Sequence, residues 1–155
     1  MKSENQVVLE FPSRSSNEAF ARVAAAGFAM QLDPTLEELG DIKTAVSEAV
    51  TNAIVHGYPE NFGRIVMKLR IREGNILEIV VKDWGVGIAD VEQARKPMFT
   101  TGNDERSGMG FTIMESFMDA VKVRSTPGKG TVVTLRRRAL WTRCGCGLHR
   151  RRGLP

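Results

Sequence analysis

Glu48 and Asn52 stand four residues apart in the segment SEAVTNAIVHG, which covers residues 47–57. At about 100° per residue, a helix places both side chains on one flank, away from its apolar stripe. A carboxylate can act as a general base, and an amide oxygen is a hard ligand suited to Mg²⁺. The same spacing is also typical of a solvated helix face, so the pair alone indicates no activity.

Two glycine-containing motifs could bind a nucleotide. The segment DWGVG, residues 83–87, follows a nearly apolar strand, and RSGMGF, residues 106–111, stands where a loop becomes a helix. Glycines two apart let a ligand approach the main chain, and Asp83 could accept a hydrogen bond from an exocyclic amine. The backbone N–H groups at a helix start attract anions. Each motif, like GKGT at residues 128–131, is also consistent with a structural turn.

These motifs do not belong to two common phosphate-binding classes. The sequence contains no GxxxxGK[ST] phosphate loop, and it lacks the HRD and DFG motifs of the common protein kinases. The glycine motifs therefore leave the nucleotide-binding class open at this point.

The apolar spacing predicts eight elements that would position these residues. In chain order they are a strand over 6–11, a helix beginning near residue 15, a helix from 35 to about 55, strands over 64–72 and 75–83, a helix over 111–118, and strands over 120–125 and 131–137. Paired strands and grouped helices favour an α+β fold, a two-layer sandwich with helices on one face of a mixed β-sheet.

Local signals fix several ends of these elements. Ser15 with Glu18, and Thr35 with Glu38, each have the spacing of a capping box that starts a helix. Glu73-Gly74 is a plausible tight turn between two strands.

Charge is unevenly distributed along the 155 residues. Residues 1–135 hold all 18 acidic residues and 15 of the 22 Lys and Arg, a net charge of −3. The other seven Arg lie in the last 20 residues and produce the overall charge of +4. We therefore expect a folded domain over 1–137, a disordered Arg-rich tail over 138–155 that could be non-native, and no direct nucleic-acid binding by the body.

The other bulk features point to a cytoplasmic protein that is not associated with a membrane. No apolar run approaches the ~20 residues that cross a bilayer, and the start, MKSENQVVLEF, lacks a signal-peptide core. Cys144, Cys146 and His149 offer too few ligands for a structural zinc site.

The order of the motifs is more specific than any one of them. The sequence resembles the ATP-binding (Bergerat-type) fold of gyrase, the Hsp90 chaperone, histidine kinases and MutL. It shares with that fold, in order, an ExxxN helix, a DxGxG turn, a GxG at a helix start and a GT step into a final strand. Within this superfamily the sequence resembles the stage II sporulation protein AB family of anti-sigma-F serine kinases, and the resemblance extends from about residue 5 to 135. The segments that carry it are NEAFARV, LDPTLEEL, IKTAVSEAVTNAIVHGY and ERSGMGFTIMESFMD.

This resemblance implies ATP and Mg²⁺ as cofactors and assigns roles to individual residues. Glu48 would be the general base for a serine hydroxyl, Asn52 the Mg²⁺ ligand, and Arg106 a catalytic residue that neutralises phosphate charge. Asp83 would hold the adenine amino group. The other nucleotide-binding residues that the resemblance implies are Gly85, Gly87 and Thr131 and, in a lid over about 100–110, Thr100, Thr101, Ser107, Gly108, Met109 and Gly110.

The resemblance also implies protein partners. An ATP-bound homodimer would hold the sporulation sigma factor F, and an anti-anti-sigma protein would be phosphorylated on serine. Glu18 and Arg22 match the partner-binding helix face, although such a pair is also consistent with an exposed ion pair of little energetic value. The lid, FTTGNDERSGMG, is about one residue shorter than the family's usual segment and has Gly102 where lysine is common.

Three alternatives remain open. A histidine-kinase ATPase domain would need a phosphoacceptor histidine on a separate dimerisation helix pair, but the chain has only His149 and His56, which lies within the nucleotide motif. The second alternative is a nucleotide-gated binding module without kinase activity. The third is nucleic-acid binding through the Arg-rich tail.

Overall fold

The computed structural model describes residues 3–96 and 109–139, in which helices pack on one face of a five-stranded sheet. The strands are β1 (Ser3–Pro12), β2 (Arg64–Arg72), β3 (Ile76–Asp83), β4 (Ala120–Thr126) and β5 (Gly130–Arg138). The helices are α1 (Ser16–Ala29), α2 (Leu36–Asn52), α3 (Val91–Ala94) and α4 (Gly110–Phe117). The predicted α+β class is confirmed, and the single turn α3 is an addition to the predicted elements.

The sheet is antiparallel at every described pairing rather than mixed. Its strand order is β1-β2-β3-β5-β4. Strands β3 and β4 run in the same direction, but β5 lies between them, so the described strands form no parallel pair. In the β3–β5 ladder Asp83 lies opposite Thr131, which brings two predicted site residues to the same end of the sheet.

The two predicted capping boxes have different outcomes. At the start of α2, Thr35 Oγ1 accepts a hydrogen bond from the Glu38 N–H at 3.1 Å, and the Glu38 carboxylate accepts one from the Thr35 N–H at 3.3 Å. At the start of α1 the box is absent, because Ser15 already has helical backbone angles and caps nothing with its side chain. The Glu18 carboxylate instead accepts a hydrogen bond from Ser47 on α2.

Helix α2 lies at the centre of the helical layer and contacts both α1 and α4. Its buried residues recur at helical spacing and face the inward side chains of β2 and β3, such as Ile65, Met67 and Ile79. Each such aliphatic side chain stabilises the fold by about 1.5–3 kcal/mol through burial. This packing fixes the rotation of α2 and so the direction in which Glu48 and Asn52 point.

Among the described residues no helix packs on the outer face of the sheet, and a buried glutamate lies within that face. Glu78 is 2% exposed and forms ion pairs with Arg136 at 2.7 Å, Arg72 at 2.9 Å and Arg70 at 3.3 Å. Burial alone raises the pKa of Glu78, but hydrogen bonds from Arg72 and Arg136 outweigh it, so the pKa is lowered overall. The arginine stems cover the centre of this face.

Among residues 3–96 and 109–139, no helix combines the length and the apolar character needed to cross a bilayer.

Candidate functional site

Glu48 and Asn52 converge on the first residue of α4. A Cβ atom placed on Gly110 would lie 3.3 Å from Glu48 Oε2 and 3.2 Å from Asn52 Nδ2. Both side chains therefore lie close together, directly against the N-terminal end of α4. The partial positive charge of a helix N-terminus favours anions at this point.

The chain widens into one π-helical turn, Ala53–Gly57, immediately after Asn52. Such turns are frequent at functional sites. Here the turn brings Gly57 against the Asp83 carboxylate, since a Cβ on Gly57 would lie 3.0 Å from Asp83 Cγ. The sequence analysis assigned Gly57 no role in the site, so its contact with Asp83 is a feature that sequence reasoning missed.

Asp83 is a buried carboxylate at the end of β3. It is 5% exposed, and its Oδ1 accepts a hydrogen bond from the Gly85 N–H at 3.0 Å. Burial raises the pKa of Asp83, and backbone hydrogen bonds from Gly85 and Thr131 offset part of that effect. Buried carboxylates with a shifted pKa are frequent at functional sites.

Gly85 and Gly87 let three backbone segments pack together. A Cβ on Gly85 would lie 1.9 Å from the Gly57 oxygen, and one on Gly87 would lie 2.4 Å from the Thr126 oxygen. Gly87 also has a φ of 75°, in the left-handed region that favours glycine. The glycines thus fix the loop after Asp83 against the end of the π turn and the β4–β5 turn.

Thr131 lies beside this loop with its hydroxyl held by Ser125. The two hydroxyl oxygens are 2.7 Å apart, and Ser125 Oγ also accepts a hydrogen bond from the Ile88 N–H at 2.7 Å. Sequence reasoning missed Ser125, which appeared only as a strand residue. It also missed Tyr58, whose hydroxyl donates to the Arg64 oxygen at 2.6 Å and accepts from the Trp84 N–H at 2.8 Å.

These elements enclose a cavity of about 340 Å³. Its walls are mainly apolar, from residues such as Val81, Val133 and Phe111, with a few polar groups. Asn52, Asp83 and Thr131 supply polar atoms, and Gly110 closes the end next to Glu48. A mostly apolar cavity with few convergent polar groups is typical of a small-molecule site.

The structure does not place every predicted site residue in this cavity. Thr100, Thr101, Arg106, Ser107 and Gly108 lie outside the described residues, so their predicted roles stay predictions. Met109 is the N-cap residue of α4, next to Gly110.

The predicted partner-binding pair lies away from the cavity. Glu18 and Arg22 are on α1, which packs against α2, and neither residue lines the cavity. They form a long i,i+4 pair with Arg22 Nε 3.9 Å from Glu18 Oε1.

Comparisons with known proteins agree with this architecture. Residues 11–137 match the histidine kinase-like ATPase domain family. The anti-sigma F factor of Thermoanaerobacter sp. (strain X514) is 56% identical over 136 residues, covering 87% of this chain and 94% of that protein. The anti-sigma F factor of Pasteuria penetrans is 59% identical over 131 residues, covering 83% of this chain and 87% of that protein.

Among solved structures, the chain is similar to the RsbU and RsbW domains of a Mycobacterium tuberculosis protein, with a TM-score of 0.64 and 18% identity. The likeness covers 87% of this chain and 32% of that one, and at this identity it supports the fold alone. The family predicted from the motifs is confirmed by the sequence matches. The chain belongs to the histidine kinase-like ATPase domain family and, within it, to the anti-sigma F factors.

Proposed function

We propose that this protein is a cytoplasmic, homodimeric anti-sigma factor and ATP-dependent serine kinase. It holds sporulation sigma factor F when ATP is bound, and it phosphorylates a serine of an anti-anti-sigma protein. One domain carries both activities, and the Arg-rich tail from residue 138 takes no part in them. The convergence of Glu48 and Asn52 on Gly110, at the end of the cavity that contains Asp83, is the observation that carries the kinase proposal.

The residues present fit an adenine nucleotide. Asp83 is buried, accepts backbone hydrogen bonds and lies in the wall of a largely apolar cavity, as recognition of a flat base with an exocyclic amine requires. Thr131 adds a hydroxyl next to it. The N-terminus of α4 lies at the other end, where phosphate charge would be favoured.

The residues fit Mg²⁺ only together with the phosphates of a nucleotide. Among the described residues no group of three or more His, Cys, Asp or Glu could hold a metal ion by itself. Asn52 offers one amide oxygen, and Mg²⁺ commonly takes one or two protein ligands and completes its shell with phosphate and water. Asn52 is therefore the proposed protein ligand.

Bound ATP and Mg²⁺ would supply the phosphoryl group and neutralise its charge. The chain's own residues have four tasks. Asp83 accepts a hydrogen bond from the adenine amino group and so fixes the nucleotide's orientation. Asn52 holds the metal through its amide oxygen. Glu48 accepts the proton of the attacking serine hydroxyl, and Arg106 in the lid contributes positive charge.

The test is phosphotransfer from Mg-ATP to the cognate anti-anti-sigma protein, measured by intact mass. We expect one added phosphate, stable to acid as a serine phosphate is. Glu48→Gln removes the base, so the transfer rate falls by roughly 10²-fold or more while sigma factor binding survives. Glu37→Gln is the matched control, because it makes the same change at an exposed position of α2.

Other outcomes would favour the alternatives. Equal transfer by Glu48→Gln would remove Glu48 as the base. A wild-type protein that binds ATP and sigma factor without transfer would be a nucleotide-gated binding module. An acid-labile phosphate would indicate histidine chemistry. Salt-sensitive DNA binding that disappears on deletion of residues 139–155 would assign a role to the tail.

A further inference from the structure

A hydrogen bond joins the predicted partner surface to the residue that precedes the proposed base. Ser47 Oγ on α2 donates to Glu18 Oε1 on α1 at 2.6 Å. Ser47 and Glu48 are neighbours, and α2 lies between α1 and α4. One turn of α2 therefore presents Ser47 toward the partner surface and Glu48 toward the cavity.

This hydrogen bond decides which group holds the Glu18 carboxylate. Arg22 lies one helical turn further along α1, where a glutamate followed by a cation at i+4 ordinarily forms an ion pair. Here Arg22 Nε is 3.9 Å from Glu18 Oε1, beyond hydrogen-bonding distance. The Arg22 side chain is 39% exposed and that of Glu18 is 20% exposed, so Glu18 is turned inward and Arg22 outward.

We propose that Ser47 is a positioning residue for partner recognition, because its hydroxyl holds Glu18 against α2 and leaves the Arg22 guanidinium available to an acceptor on the partner protein. The inference rests on the proposed function, in which Arg22 contacts the partner. Without the Ser47 hydroxyl, the Glu18 carboxylate has one cation within 4 Å among the described residues, which is Arg22. Glu18 then turns toward Arg22, shortens the existing 3.9 Å pair to hydrogen-bonding distance and competes with the partner for the guanidinium.

A purely structural role for Ser47 gives a different result. If the hydrogen bond only fastens α1 to α2, its loss lowers stability and changes binding whether or not Arg22 is present. If it acts through Glu18 and Arg22, its effect disappears when Arg22 is absent. A double-mutant cycle separates the two cases.

The experiment measures binding of purified cognate sigma factor F to the full chain in Mg-ATP. The variants are Ser47→Ala, Arg22→Ala, the double variant and Ser47→Thr, which keeps a hydroxyl. Ser116→Ala is the control, since Ser116 Oγ donates only within its own helix, to the Thr112 oxygen at 2.9 Å. ATP affinity is measured in parallel for each.

We expect Ser47→Ala to weaken sigma factor binding roughly three- to tenfold with unchanged ATP affinity. With the anti-anti-sigma substrate, it raises KM by a similar factor and leaves kcat unchanged. Ser47→Thr stays within about twofold of wild type, and Ser47→Ala has no further effect in the Arg22→Ala background.

Two results would overturn the inference alone: wild-type binding by Ser47→Ala, or the same loss in the presence and absence of Arg22. A wild-type protein that binds ATP but neither partner would overturn the proposed function and this inference with it.

Discussion

Replacing Gly110 with alanine separates the stability of the fold from the activity of the site. Gly110 is the first residue of α4, and its backbone is helical, so alanine suits the local conformation. The added methyl would lie 3.2 Å from Asn52 Nδ2, 3.3 Å from Glu48 Oε2 and 3.4 Å from Asn52 Oδ1. These contacts are shorter than an ordinary van der Waals contact by a few tenths of an ångström.

The two effects have opposite signs. Alanine in place of glycine in a helix interior stabilises the fold by about 0.5–1 kcal/mol, which for a chain of this size raises Tm by about 1–4 °C. At Gly110, the first residue of α4, this is the upper limit of the gain. The crowded Glu48 and Asn52 side chains must move away from the methyl group. Because displacement of catalytic groups by about 1 Å can cost 10²-fold in rate, a shift of a few tenths of an ångström predicts a loss of about tenfold in kcat.

The assay pairs thermal unfolding of the nucleotide-free protein with the phosphotransfer rate at saturating ATP. Gly40→Ala is the matched control, because Gly40 is in the interior of α2 and a Cβ there meets no atom within 4 Å. The control should gain about 1–4 °C in Tm and keep full activity. Full activity in Gly110→Ala, with the control behaving as expected, would refute the assignment of Glu48 and Asn52 to the reacting centre.

Two predictions concern the buried carboxylates. Burial raises the pKa of Asp83 above 3.8, so the free energy of unfolding falls as pH rises through that raised pKa and the carboxyl becomes charged. At neutral pH the free energy of unfolding of Asp83→Asn should therefore be no lower than that of wild type. The variant should nevertheless lose about 1.5–3 kcal/mol of ATP affinity, and calorimetric titration showing wild-type affinity would contradict the adenine assignment. Because the pKa of Glu78 lies below 4.5, its stabilisation is complete above 4.5 and is lost as pH falls through the lowered pKa. Glu78→Gln should therefore lower the free energy of unfolding, measured in urea at neutral pH, by about 3 kcal/mol. A difference in unfolding free energy between the variant and wild type that does not become smaller in acid would count against the ion-pair explanation.

Local patterns predicted those features of the fold that depend on local physics. The strand sequences are either apolar throughout or alternate apolar and polar residues, and the bounds predicted for β2 match the structure. The Thr35 box forms because both partners lie within one turn. The Ser15 box is absent because Ser15 itself has helical backbone angles, and Glu18 instead accepts a hydrogen bond from Ser47, 29 residues away, a pairing that no local signal encodes. The antiparallel sheet depends on the insertion of β5 beside β3, which is likewise a long-range event.

The candidate site shows the same division. Glu48, Asn52, Asp83 and Gly110 could be predicted because their residue types and order are distinctive. In the structure Asn52, Asp83 and Gly110 line one cavity, and Glu48 lies next to Gly110. Ser125 was missed because its role arises only when the loop containing Ile88 meets the β4–β5 turn.

The position of β5 has a consequence for synthesis of the protein. The last strand that the structure describes is not at an edge of the sheet but between β3 and β4, and it supplies Thr131 opposite Asp83. A nascent chain that has emerged only as far as β4 lacks Thr131 and Val133, and so one wall of the cavity. Nucleotide binding therefore becomes available only when the C-terminal strand has left the ribosome, so ATP stabilises completed chains and leaves truncated ones without that protection.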